Sequence, residues 1–160
     1  MKGRMVAVVA LGAAAALALV GVVGAGAQGS GKQSKALFAV MSGKKEVSPE
    51  GQKRAGDRNG EGSFSATFDG NELCYGITVK NIKNPVAAHI HRGSPKVAGP
   101  VVQPLQQPAT GDPGASSDCV GVSASLARAI RKNPAKFYVN VHTGDFPGGA
   151  VRGQLFGKSR

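Results

Sequence analysis

The sequence predicts an all-β protein, a Greek-key-like antiparallel β-sandwich with one short helix. Short segments such as 63–68 and 73–82 alternate apolar and polar residues, which is the period of a strand with one buried face. Among the 160 residues, 24 are glycine and 9 are proline, a composition that favours many turns over long helices. With 41% hydrophobic residues and no Trp, the core must be built mainly from Val, Ala, Leu and Phe.

The first 27 residues have the pattern of a secretory signal peptide. Lys2 and Arg4 precede an Ala-rich apolar run, and Ala25-Gly26-Ala27 fits the small-x-small cleavage pattern. An uncleaved membrane anchor is the alternative, because the apolar run is long. Cleavage would leave no transmembrane segment, so the sequence predicts a protein that is secreted or held in the cell envelope.

A single domain is predicted over residues 36–157, after a Gly-, Ser- and Lys-rich flexible lead-in at residues 28–35. Apolar alternation and turn residues predict its strands in this order: 37–41, 63–68, 73–82, 86–90, 137–141 and 150–156. Residues 42–62 and 92–118 are rich in Gly, Pro and polar side chains. They are predicted to be mostly loop, with one short strand at Val101-Val102.

One short helix is predicted over residues 124–132. Ser123 is placed to cap its first turn, and Leu126 and Ile130 are spaced i,i+4 on one face. Asn133-Pro134 ends it, because the residue before a proline avoids the helical conformation.

Cys74 and Cys119 are the only cysteines. An even number of cysteines in an exported chain predicts one disulfide. The bond would close a loop of about 45 residues and stabilise the fold by on the order of 3 to 4 kcal/mol in the loop-entropy model. Two free thiols or a metal-binding pair are the alternatives.

The chain is strongly basic, with 20 Lys and Arg against 9 Asp and Glu and a formal net charge of +11. Without Lys2 and Arg4 the balance is 18 against 9, or +9. Such a charge favours anionic partners, so an anionic polymer or an unidentified extracellular protein is the partner predicted. Nucleic acid is not predicted as a partner, because neither a recognition-helix pattern nor an aromatic stacking platform accompanies the basic residues.

Five motifs together resemble the CHRD domain, the module repeated in chordin and present as single copies in many secreted bacterial proteins. They are Glu46-Val47-Ser48-Pro49, Ala88-His89-Ile90-His91-Arg92-Gly93, Gly99-Pro100-Val101-Val102, Tyr138-Val139-Asn140-Val141-His142-Thr143 and Phe146-Pro147-Gly148-Gly149-Ala150-Val151-Arg152-Gly153-Gln154-Leu155. The resemblance covers residues 36–156. It implies an extracellular β domain and no particular activity, so the leading interpretation is an extracellular binding or structural module.

The order of features is also similar to that of copper/zinc superoxide dismutase. The shared features are a Gly-x-x-x-Phe segment at 60–64, a hairpin, His89 with His91, Val141-His142, and a Gly-rich turn before Arg152. This likeness implies copper as the candidate cofactor, and copper-dependent superoxide or redox chemistry if the protein is an enzyme. The dismutase's bridging histidine and its zinc site have no counterpart in this sequence.

The three histidines of the chain form the predicted metal site. His89 and His91 are i and i+2 on a strand, so their side chains point to the same side. His142 would have to come from a neighbouring strand. Three imidazoles suit Cu(II) or Zn(II) and leave one coordination position open. Arg152 is a catalytic candidate only if copper is bound, as the group that attracts a small anion; otherwise no catalytic residue is predicted.

The alternative is a structural network without a metal. In that interpretation His89, His91 and Asn140 hydrogen-bond loop backbone. Arg152 would pair with Asp145 or with a carbonyl, which makes Asn140 and Arg152 structural residues of the motif. No nucleophile elbow, phosphate loop or HExxH motif is present to indicate another chemistry. The sequence therefore leaves two functions open, an extracellular binding or structural module and a copper-binding redox protein.

Overall fold

The computed structural model describes residues 36–157. The expected signal peptide and lead-in, residues 1–35, lie outside the described part. The strands and the helix are β1 Leu37–Ser42, β2 Glu61–Asp69, β3 Glu72–Lys80, β4 Pro85–Arg92, β5 Val101–Leu105, β6 Gly114–Gly121, α1 Ala124–Lys132, β7 Phe137–Thr143, β8 Val151–Gln154 and β9 Phe156–Gly157. Within residues 36–157, no helix combines the length and apolarity needed to cross a bilayer.

The strands form one antiparallel sheet in the order β5-β4-β7-β8-β1-β2-β3-β6, and β9 pairs with β1. Strands distant in sequence become neighbours at β4–β7, β8–β1 and β3–β6, as in a Greek key. The two ends of the sheet approach each other, because the Ser116 hydroxyl of β6 donates to the Gln106 carbonyl just after β5, at 2.8 Å. The sheet thus curls into a nearly closed barrel or sandwich, and the predicted all-β fold is confirmed.

A continuous apolar core fills the inside of the sheet. The alternation predicted for residues 63–68 of β2 and for β3 is confirmed, since every second residue of these segments is buried. The largest apolar side chains that are buried there include Phe64, Leu73, Ile77, Ile90, Ile130, Phe137 and Leu155.

The predicted helix is confirmed at its expected bounds. The Ser123 side chain accepts from the Leu126 amide at 3.2 Å and caps the first turn. Leu126, Ala127 and Ile130 bury one face of α1 in the core. The helix therefore adds apolar area to the core although it is only nine residues long.

The prediction of loop as far as residue 118 is wrong at its end, where Gly114–Gly121 forms β6. This strand is mostly exposed and has no apolar alternation, so its sequence carries no strand signal. Backbone pairing with β3 holds it, and the register places Cys74 directly opposite Cys119. The predicted disulfide joins these two residues and ties the edge strand to the sheet.

Strand β7 is the element that positions the candidate site, because both of its faces are buried. Its core face carries Phe137, Val139 and Val141. The other face lies under two loops, which hydrogen-bond to it at Tyr138 and His142. The segment predicted as one last strand after β7 is interrupted at Leu155 and forms β8 and β9.

Candidate metal centre

Three adjacent strands present polar side chains on the outer face of the sheet. In the β4–β7 register, His89 pairs with Asn140 and His91 pairs with Tyr138. In the β7–β8 register, Asn140 pairs with Arg152. Since residues two apart on a strand share a face, this outer face collects all three histidines of the chain. His142 comes from the neighbouring strand, as a three-histidine site requires.

The histidine rings converge on one point. His89 Nδ1 lies 3.1 Å from His142 Nε2. One nitrogen from each of His89, His91 and His142 lies within 4.8 Å of the other two. The His89 and His142 nitrogens are close enough to share one ion, because imidazole ligands stand about 2.0 to 2.1 Å from zinc, and His91 offers a third nitrogen beside them.

Backbone carbonyls orient two of the three rings. His91 Nδ1 lies 2.9 Å from the Gly99 carbonyl oxygen, and His142 Nδ1 lies 2.9 Å from that of Pro147. A carbonyl only accepts, so each Nδ1 carries the proton, and in the neutral ring each Nε2 has a lone pair that can accept a hydrogen bond or bind a metal. Metal-binding histidines are typically held in this way by a hydrogen bond from the other ring nitrogen.

The two Nε2 atoms differ in their partners. His142 Nε2 accepts from His89 Nδ1, so one proton links these two rings. His91 Nε2 is buried and has no hydrogen-bond partner among the described residues. A structural network explains the first contact and leaves the second atom unsatisfied, at a cost of about 1 to 3 kcal/mol for a buried polar group.

Burial keeps the imidazoles uncharged at neutral pH. It lowers the pKa of His91 to about 4, against the opposing effect of the bond to the Gly99 carbonyl. Burial also lowers the pKa of His89, with a further contribution from His142. It lowers the pKa of His142 as well, opposed by the Pro147 carbonyl. The neutral ring is the form that binds a metal, so these shifts favour the ligand state.

Tyr138 separates the histidines from Arg152. Its ring stacks on His91, with centroids 4.8 Å apart and planes 11° from parallel. The Arg152 guanidinium lies 3.4 Å from the centroid of the same ring, and this cation–π contact must be on the opposite face. The Tyr138 hydroxyl accepts from the Gly99 amide at 3.0 Å, so Tyr138 also fixes the loop residue that orients His91.

Arg152 is 1% exposed and is held by the loop that covers Tyr138. Its guanidinium donates to the carbonyls of Ser94 and Val97 at 2.8 and 3.0 Å. The prediction that Arg152 bonds a backbone carbonyl is therefore confirmed. The alternative prediction, that Arg152 pairs with Asp145, is wrong. Asp145 instead forms an ion pair with Lys83 on the surface.

Arg152 also has a buried acidic neighbour that sequence reasoning missed. Glu46 is 2% exposed, and its carboxylate lies 3.9 Å from Arg152 Nη1. Burial raises the pKa of Glu46, opposed by the bond from the Val47 amide and by the charge of Arg152. The Glu46 carboxylate, the Tyr138 ring and the two loop carbonyls together hold the guanidinium in place. The bonds to the carbonyls are the contacts that the structural interpretation of Arg152 predicts.

Asn140 lies between the histidines and Arg152, because it pairs with His89 of β4 on one side and with Arg152 of β8 on the other. Its side-chain amide donates to the Gly148 carbonyl at 3.4 Å. Gly149 adopts a φ of 137°, and a Cβ there would come within 2.5 Å of the Asn140 amide atoms. The backbone angle and the close approach of Asn140 both require a residue without a Cβ. They explain why the turn after β7 has a glycine at position 149.

The residues missed from the sequence are Tyr138, Gly99 and Glu46. All three fall within the motifs that carry the family resemblance. The motifs therefore included these residues but did not indicate what they do. The roles of Tyr138 and Glu46 depend on contacts across 39 residues of chain or more, since Tyr138 bonds Gly99 and Arg152 faces Glu46. The Gly99 carbonyl bonds His91 across only 8 residues, but through an irregular loop that has no sequence period. Short-range patterns do not encode such contacts.

The donor set fits a transition-metal ion. Three neutral imidazoles suit Cu(II) or Zn(II), and three protein ligands leave a position for water or a further ligand. A second group of potential ligands, Glu72 with Cys74 and Cys119, does not fit, because both sulfurs are used in the disulfide. The histidine cluster is therefore the metal-site candidate that the described residues offer.

The model of the CHRD domain family matches residues 37–155, which is most of the chain and nearly all of its described part. No curated protein and no solved structure is significantly similar to the chain. The likeness to copper/zinc superoxide dismutase therefore remains one of motif order. From the family match and the motifs that line the histidine cluster, this chain belongs to the CHRD domain family.

Proposed function

We propose that this domain is a binding module that acts outside the cytoplasm, secreted or held in the cell envelope. Its ligand on the β4–β7 face is a transition-metal ion, with copper(II) the first candidate. The location is supported by the signal-peptide pattern of residues 1–27, by the disulfide and by the family. Protein recovered from outside the cytoplasm should begin at Gln28, which N-terminal mass spectrometry would show.

The metal proposal rests mainly on the unsatisfied state of one buried atom, His91 Nε2. This atom is buried and has no hydrogen-bond partner within residues 36–157. One nitrogen of the His91 ring lies within 4.8 Å of a nitrogen of His89 and of His142. Two rings are already oriented by carbonyls, so little side-chain ordering would accompany binding. A metal ion bound between His89 Nδ1 and His142 Nε2 would take the place of the shared proton, which would move to His89 Nε2 as the ring changes tautomer, and the same ion would satisfy His91.

The proposal concerns binding and not turnover. Arg152, the group that would attract a small anion to bound copper, is buried behind Tyr138. Copper-dependent superoxide or redox activity is accordingly the second candidate, and the open coordination position is what favours it. An anionic polymer or an extracellular protein remains the candidate macromolecular partner, supported by the net charge.

The test is calorimetric titration of the purified protein with Cu(II) and Zn(II), alongside His89→Ala, His91→Ala and His142→Ala. We expect one ion per chain, with each substitution abolishing the same binding event, because the chain contains no other histidine. Glu72→Gln is the matched control, since it removes the acid of the second potential cluster and should leave binding unchanged. Binding that survives all three histidine substitutions would refute the site.

A further inference from the structure

We propose a second site, independent of the metal centre, that binds a small amphiphilic anion with an apolar body and an acidic head group. The site is a cavity of about 720 Å³ between β1, the turn that follows it, the loop of residues 94–97 and β8. A volume of this size is typical of small-molecule sites. The ligand class follows from three features of the lining.

The first feature is an apolar wall. It is formed by Val40, Val47, Pro95 and Phe156. Val40 and Phe156 are 60% and 51% exposed, although both are large hydrophobic residues. Phe38 packs against Phe156 with ring centroids 5.9 Å apart and extends the apolar surface next to the cavity. Covering such a surface with a hydrocarbon body is favourable by about 25 cal/mol per Å² of apolar area.

The second feature is an excess of positive charge at the rim. Five exposed cationic residues line the cavity, namely Lys44, Lys45, Lys53, Arg54 and Lys96. None of them forms an ion pair with any acidic residue in the described range 36–157. Unneutralised charges of one sign around a concave site attract a ligand of the opposite sign.

The backbone of Arg54 adds to this picture. Its φ of 62° is in the left-handed region, where Asn and Gly are ordinary and Arg is uncommon. A charged side chain kept on such a backbone is typical of a functional position.

The third feature is unused hydrogen-bonding capacity in the floor. Glu46 Oε2, Arg152 Nη1 and Gln154 Oε1 are buried without hydrogen-bond partners among the described residues. All three residues line this cavity. The only acid in the lining, Glu46, already faces Arg152, so it does not neutralise the rim. Arg152 Nη1 is the one donor among these atoms, so an acidic head group that pairs with the rim can accept from it, whereas Glu46 Oε2 and Gln154 Oε1 are acceptors and do not favour an anion.

Decanoate is a suitable probe, since it joins a carboxylate to an unbranched hydrocarbon chain. We expect calorimetry to show one decanoate bound per chain. Its affinity should be at least about tenfold higher than that of decyltrimethylammonium and should fall with added salt. The double variant Lys53→Gln, Lys96→Gln should weaken decanoate binding about tenfold, because it removes two of the five positive charges at the rim. Arg128→Gln is the matched control, because Arg128 is an exposed helix residue outside the cavity.

Arg54→Asn gives an independent check. Asn suits a left-handed backbone, so the variant should keep its thermal stability and still bind decanoate more weakly. Three results would overturn the proposal: no saturable decanoate binding, equal binding of the cationic amphiphile, or no effect of the double variant. Binding confined to vesicles of phosphatidylglycerol would overturn it too, in favour of a membrane-surface role for the basic face. Loss of metal binding in the histidine variants has no bearing on any of these outcomes.

Discussion

His91 combines a well-fixed ring with an unsatisfied atom. Tyr138 stacks on it, the Gly99 carbonyl holds Nδ1, and Nε2 has no hydrogen-bond partner in the part of the chain that the structure describes. A residue that served packing alone would not need the second nitrogen. The contrast between its two nitrogens therefore separates a metal role from a structural one.

Replacing His91 by Phe tests this contrast. Phe keeps the shape and the stacking on Tyr138 but removes both nitrogens. We expect metal binding to be lost while the unfolding free energy without metal changes by no more than about 1 kcal/mol, because one hydrogen bond and one unsatisfied atom disappear together. Chemical denaturation and metal titration of the same sample measure the two effects. A loss of several kcal/mol with metal binding intact would favour the structural network.

The same residue predicts how stability depends on pH. Its pKa is about 4 in the folded protein and near 6.5 when unfolded, so the unfolded state binds the extra proton between these values. Stability should therefore be full above pH 6.5 and fall as the pH decreases towards 4. The contribution of His91 to this loss is about 3 kcal/mol. Denaturation at a series of pH values would show the slope, and His91→Phe should have a shallower one. Equal slopes would contradict the assignment.

At the scale of elements, the sheet order separates the candidate metal site from the disulfide. Strands β4 and β7 carry the histidines and β3 and β6 carry the cysteines, and where the two ends of the sheet approach each other β5 still lies between β4 and β6. β6 has little apolar surface and depends on backbone pairing and on the Cys74–Cys119 bond. Metal binding and the stability of this edge strand should therefore respond to different substitutions.

Removing the disulfide should affect stability and leave the metal site intact. For Cys74→Ser with Cys119→Ser, we expect the unfolding free energy to fall by on the order of 3 to 4 kcal/mol, as the loop-entropy model gives for a separation of 45 residues. Hydrogen exchange should quicken first in β6. The affinity for metal, measured where the variant is still folded, should stay within about twofold of the original, because distant sites act independently. Loss of metal binding in the folded variant would show that the two ends of the sheet are coupled.

At the scale of the whole molecule, the parts predicted from the sequence are those with a local signal. Alternation located β2, β3 and β7, and Ser123 with Asn133-Pro134 located the helix. β6 was missed because backbone pairing and a covalent bond hold it, without apolar alternation.

The candidate site also has one part that the sequence predicts from a local pattern and another part that depends on long-range strand pairing. The i,i+2 spacing placed His89 and His91 on one side of a strand, which is a local property. The adjacency of β4 and β7 brings in His142, and it depends on pairing across 53 residues. The stack of His91, Tyr138 and Arg152 involves three strands, so no spacing within one segment predicts it.

The central claim is that three histidines of this domain hold one transition-metal ion. The most direct measurement is electron paramagnetic resonance of the purified protein with one equivalent of Cu(II), compared with His142→Ala. We predict a single Cu(II) species with hyperfine structure from several nitrogens, altered or lost in the variant. A spectrum of unbound Cu(II), or one that His142→Ala leaves unchanged, would contradict the claim and leave the histidines as part of the structural network around the loops.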